Sequence, residues 1–145
     1  MNPTDATFRA GGRASQLADR TPPYDPGVDV SGVIDELGPD TDVRLAVGDR
    51  VIALVIPIGP RGGTYAERIV VDEKSVVHAP KDTTHSEAST LLLNALTAHL
   101  ALDAVHLDAG QTLAVTGAAG ALGGYAHPAG QGPGTDRDRR RLTRR

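Results

Sequence analysis

Residues 86–102, SEASTLLLNALTAHLAL, hold a helix's length of Ala- and Leu-rich sequence without one Gly or Pro, whereas everything before them is punctuated by both. A helix is the natural state of such a run, because nothing in it removes a backbone donor or adds backbone freedom. Ser86, placed after a polar stretch, is the expected N-cap. Upstream the period is two instead. VDVSGVIDELG alternates apolar and polar residues through Val28, Val30 and Ile34 and stops at Gly38-Pro39, as a half-buried strand does. VGDRVIALVI turns at Gly48-Asp49 and feeds a second strand, Arg50–Ile56. GGTYAERIVVDEKSVVHAP gives a third from Tyr65 to Val71 and a short fourth around Ser75–His78. Residues 1–26 read mostly as loop, since Pro3, Gly11-Gly12, Pro22-Pro23 and Pro26 keep interrupting any helix or central strand. Short strands between Gly/Pro/Asp turns build a small β barrel or sandwich.

Past the helix, HLDAGQ makes a turn and QTLAVTGAAGALGGYA reads as strand, glycine loop and helix start. Thr112–Thr116 is the strand, and Gly117, Gly120 and Gly123 follow at three-residue spacing. In a dinucleotide-binding β–α turn, glycines make the tight bend, let backbone reach a pyrophosphate and allow the helix to pack close on the strand. The helix's first N–H groups and the positive end of its dipole then hold the phosphates. The motif itself is AAGALG, Ala118 to Gly123, with Ala118 where the usual fingerprint begins with Gly. A plain flexible turn is the alternative, and Gly117 and Gly124 would suit one. The strand before and the helix after are what favour a nucleotide.

Composition narrows the chemistry. The chain's 145 residues allow one ordinary domain rather than two complete ones. At 39% hydrophobic it is too apolar to be wholly disordered, while 3% aromatic leaves few large rings to anchor a core. The absence of Cys removes disulfides, thiolate nucleophiles and sulfur-bound zinc. The five His are scattered, with no pair at i, i+4 beside a carboxylate in ligand spacing, so no metal is expected. Ser31, Ser75 and Ser86 lack the GxSxG setting of a hydrolase. No uninterrupted apolar run approaches the roughly 18 residues of a membrane span, so no membrane partner is expected. MNPTDATFRAGGR lacks the apolar stretch of a signal peptide, which makes a cytoplasmic setting the expectation. The net charge of −3 is unevenly spread: His127–Arg145 holds six Arg against two Asp, and Met1–Ala126 nine Lys+Arg against sixteen Asp+Glu. Such a split fits an acidic domain with a nucleic-acid-binding tail, or two parts of different origin.

Five strings, YDPGVDVSGVIDELG, VGDRVIAL, GGTYAERIVV, LLLNALTAHLAL and QTLAVTGAAGALGGYA, stand in the order found in the medium-chain dehydrogenase/reductase superfamily. From Asn2 to Ala126 the chain most resembles its zinc-independent NADPH:quinone oxidoreductase branch. The resemblance implies a partial GroES-like β barrel over 1–88 and the start of a Rossmann NAD(P)-binding domain over 89–126. NADPH, or NADH, would lie between the two, passing hydride to a quinone or enone, and intact members would be homo-oligomers. It assigns residues too. Asn2 and Asp5 match an Asn-x-x-Asp segment near the nicotinamide, where zinc-dependent relatives carry a metal-binding Cys. Asn94 and Thr97 match positions where a helix approaches the nicotinamide. Ala118, Ala119, Gly120, Ala121, Leu122 and Gly123 match the phosphate loop. No catalytic side chain is implied. Each also has a plainer reading: Asn2 and Asp5 as turn formers, Thr97 as bonded to a helix carbonyl, Asn94 on a solvated face, Tyr24 and Tyr65 as packing residues.

Against that family the chain starts inside the GroES-like domain, without its opening strands, and departs from it after Ala126. Pro128 is expected to break the glycine-loop helix as it begins. The remaining 127–145 reads as a disordered basic tail, and its codons allow a frame-shift origin: CAT-CCA-GCT-GGC-CAA-G, for His127 to Gln131, contains ATC-CAG-CTG-GCC-AAG, which spells IQLAK. The selector for the adenosine ribose, about 20 residues past a glycine loop, would fall in this tail. Poor cofactor affinity and little activity are therefore expected of this chain. A non-catalytic GroES-like remnant that pairs with other chains is the alternative function. Nucleic-acid contact through Arg137–Arg145 is the lesser one, because the tail lacks interleaved aromatics and a folded platform.

Overall fold

A computed structural model describes residues 2–41, 44–106, 108 and 111–129. Contacts divide the chain into two compact units, Met1–Leu93 and Asn94–Arg145. The first is built on a three-stranded antiparallel sheet in the order β1 (Asp29–Val33), β2 (Arg50–Leu54), β3 (Val76–His78). Registers Val30↔Ala53 and Ala53↔Val76 lay these three side chains in one row, while Ser31, Ile52 and Val77 line up on the opposite face. On the first face Leu45, Ala53 and Val76 form the buried cluster, with Val30, Ile34, Leu37, Val51 and Val71 packed around it. Ile52 is buried on the other. The bend into β2 follows from Gly48, whose φ of +94° suits a residue without a side chain, and from Asp49, whose Oδ2 accepts the Ala46 N–H at 2.8 Å.

Three of the four expected strands are present. The one placed over Tyr65–Val71 is not, because its first amides are engaged across the chain rather than along a neighbour: Tyr65 N donates to Pro26 O and Ala66 N to Thr64 O. Val70 is left exposed. Nor is 1–26 mostly loop. Pro3–Arg9 is a helix, α1, and Ala14–Leu17 a 3₁₀ turn. Pro3 interrupts nothing there, since at the first helical position its missing N–H has no partner to lose. Asn2 Oδ1 accepts the Thr4 N–H at 3.0 Å and Asp5 Oδ2 the Asn2 N–H at 2.8 Å, a reciprocal capping box. Phe8 and Leu17 are thereby buried.

The helix expected over 86–102 is two helices, α2 (His85–Ala88) and α3 (Leu92–Val105). The cap is Thr84 rather than Ser86. Thr84 Oγ1 accepts the Glu87 N–H at 3.2 Å and Glu87 Oε2 the Thr84 N–H at 2.8 Å. Those Thr84 donors, backbone first and hydroxyl second, hold the Glu87 carboxyl below its ordinary value. At the interruption the ladder tightens, Thr90 N donating to Glu87 O and Leu91 N to Ala88 O, while the Ser89 and Thr90 hydroxyls donate to Ser86 O and Glu87 O. Neither Gly nor Pro stands at this break.

The whole stretch His85–Val105, 21 residues with a window hydropathy of 1.3, is long and apolar enough by length and composition to cross a membrane. Polar residues such as Asn94, Thr97 and His99 are spread through it, so no uninterrupted apolar run marks it in the sequence. Apolar residues surround α3 almost evenly, the pattern of a helix meant for an interior. Yet Ala98 is its one buried residue, and Leu96, Leu100 and Val105 are exposed.

In the second unit, Thr112–Thr116 is not a strand. It pairs with nothing among the described residues, although Leu113 and Val115 are half-buried between exposed neighbours. A parallel strand needs neighbours to exist as one. Helix α4 runs Ala121–Ala129, so Pro128 does not stop it at its beginning but stands one residue from its end. The rest of the basic tail, from residue 130 on, lies outside the described residues.

Candidate functional site

The glycine turn has the geometry its letters suggest, with each glycine held for a different reason. Gly117 sits at φ +67°, where a side chain is strained. Gly120 donates its N–H to Gly117 O at 2.9 Å, and Gly124 to Gly120 O at 2.9 Å, closing the turn onto α4. A Cβ on Gly123 would lie 2.5 Å from Ala118 Cα and 2.6 Å from Gly117 O, both backbone, so the helix packs on its own entering turn only because Gly123 has none. Residues 117–122 are exposed and Gly123 is buried. The first-turn N–H groups of α4 have no partners within the helix. An exposed bend feeding those donors can accept a diphosphate, with Gly117 free to take its positive φ and Gly123 letting the helix pack on the turn. Gly117 belongs with the six residues Ala118, Ala119, Gly120, Ala121, Leu122 and Gly123. The positive-φ requirement just after residue 116 is the signal that finds it.

Asn2 and Asp5 are brought together, in the capping box of α1. Asp5 is buried at 3% exposure, and its Oδ1 has no hydrogen-bond partner among the described residues. Asn94, half-buried, and Thr97, exposed, lie three residues apart on α3, hence on one side of it, and both are engaged by neighbours. Sequence reasoning misses Asp29. From β1 its Oδ1 accepts the Leu93 N–H at 2.9 Å, and its carboxyl is raised, first by burial and then by the charge of Asp5, against the lowering effect of the Leu93 bond. Two residues along the strand, Ser31 Oγ meets His85 Nδ1 at 2.8 Å.

A cavity of about 540 Å³ in the first unit is walled by Pro23, Tyr24, Pro57 and Pro60 with Arg20 and Arg61 at its edge. The Arg20 guanidinium is already bonded to Gly59 O and the Tyr24 hydroxyl to Arg20 O. Among the described residues no three His, Asp or Glu side chains gather to hold a metal ion.

Residues 1–81 match the alcohol dehydrogenase GroES-like domain. A chloroplastic quinone-oxidoreductase, QR1, of Triphysaria versicolor is 36% identical over 110 residues, covering 72% of this chain and 32% of that protein. The mitochondrial NAD(P)H oxidoreductase RTN4IP1 of Homo sapiens is 35% identical over 142 residues, covering 87% and 35%. The quinone oxidoreductase of Thermus thermophilus, whose structures include a complex with NADPH, superposes with a TM-score of 0.64 at 33% identity, covering 87% and 36%. The chain thus spans about a third of the length of the curated relatives it matches.

Proposed function

This chain belongs to the alcohol dehydrogenase GroES-like family of medium-chain dehydrogenases/reductases, and from that premise we propose that it is part of an NADPH-dependent, metal-independent oxidoreductase acting on a quinone or activated alkene. The observation that carries the reading is the glycine turn, where Gly117 takes a positive φ and Gly123 leaves no room for a Cβ. When bound, NADPH supplies a hydride and the protein supplies position. Here, within the second unit, the amides of residues 118–123 would hold the diphosphate, and Asn94 and Thr97 would present polar atoms from α3. Proximity and orientation then carry the rate acceleration, which suits a site with no nucleophile.

Titration with NADPH, followed by the cofactor's fluorescence, tests this: a saturable change supports it and silence at millimolar cofactor refutes it. A second reading, a non-catalytic GroES-like module, is favoured by residues 112–116, which pair with no strand among the described residues. Silence in the same titration would favour that module.

A further inference from the structure

We propose that Asp29 is a positioning residue, whose carboxylate reaches from β1 to cap the first turn of α3, the helix that carries Asn94 and Thr97. The inference rests on reading α3 as a cofactor-facing helix. Leu93 is the second residue of α3, so its N–H is among the four that the helix itself cannot satisfy. The partner it finds is not a local Ser, Thr or Asp but a carboxylate 64 residues away, at 2.9 Å. A local cap forms with the helix; this one forms only when strand and helix are in place together.

An acceptor oxygen at the positive end of a 14-residue helix meets a donor that the helix leaves open. The position is otherwise a poor one for an acid, half-buried and subject to the charge of Asp5. The Leu93 bond opposes that cost without cancelling it. Ser31, on the same face of β1, meets His85 of α2 at 2.8 Å, so one edge strand fixes both ends of the segment from 85 to 93. Asp29 therefore sets where α3 starts, and the start of a helix sets where its next residues, Asn94 first, are held.

Three variants of the full chain, Asp29→Ala, Asp29→Asn and Val76→Ala, test this by amide hydrogen exchange at Leu93 and by the NADPH dissociation constant. Asp29→Ala should lose at least tenfold of the Leu93 protection and weaken NADPH about tenfold. Asp29→Asn keeps an acceptor oxygen and should retain both. Val76→Ala loosens the core of the sheet without touching the cap, and should leave NADPH affinity within twofold. Unchanged Leu93 protection in Asp29→Ala would overturn the cap. A loss of NADPH affinity in Val76→Ala equal to that in Asp29→Ala would overturn the positioning role, since stability alone would then explain it. Absence of NADPH binding by the parent chain would refute the functional reading, and the positioning role with it, while Leu93 exchange decides the cap separately.

Discussion

RVIAL at 50–54 and TLAVT at 112–116 are both five-residue strings with an apolar middle and a β-branched residue, yet the first is the centre of a sheet and the second pairs with nothing among the described residues. The difference lies in the neighbours. Strand β2 has β1 on one side and β3 on the other, each brought alongside by loops that bend back at Gly48 and through the 3₁₀ turn Glu73–Ser75. The segment at 112–116 has no such company. The turn that follows it is nevertheless fully formed, because Gly117, Gly120 and Gly123 constrain one another within seven residues. A strand is a property of what lies beside it; a glycine turn is a property of its own atoms.

The contrast can be broken first at the sheet. Ile52→Ala removes a side chain exposed by only 2% at the centre of β2 and should cost about 3 kcal/mol, read as a lowered urea midpoint. A loss below about 1 kcal/mol would mean the sheet is not what holds the first unit together. At the turn the larger effect belongs to Gly123→Val, whose side chain must enter space held by Ala118 and Gly117 backbone; about 2 kcal/mol of local strain is expected, with loss of α4 helicity by NMR. Gly117→Ala should cost less, about 1 kcal/mol, since nothing crowds it and only its φ of +67° resists. If Gly123→Val proves no worse than Gly117→Ala, helix and turn are not packed together as described.

Smaller still are two pH effects of opposite sign within the first unit. Asp29 is raised by burial, so its contribution to stability is fully present below the ordinary carboxylate range and is lost as pH rises through its raised value. Glu87 is lowered by the Thr84 bonds, so its contribution is present above the ordinary value and is lost as pH falls through its lowered one. Urea unfolding across pH 2–7 should therefore lose one slope in Asp29→Asn and the opposite slope in Glu87→Gln. Finding the same sign for both would contradict the account of Asp29.

What was legible in the sequence follows the same division. β1, β2 and β3 could be read as apolar runs between Gly and Pro turns, and the glycine turn from its spacing. The Thr84-x-x-Glu87 capping box was there to read, but Ser86 drew attention by standing at the edge of the apolar run. Pro3 misled because a proline ends a helix from within and starts one from position one. Tyr65–Val71 misled because propensity says nothing about where the Tyr65 and Ala66 amides go. Asp29 could not be found at all, since its bond to Leu93 spans 64 residues and leaves no local trace.

On the proposed reading, the backbone from residue 118 to 123 receives the diphosphate of NADPH. It is tested most directly by following the amide resonances of the chain as NADPH is added. Saturable shifts concentrated at Ala118–Gly123, and abolished in Gly123→Val, are the expected result. Shifts confined to other residues, or none at millimolar NADPH, would contradict it.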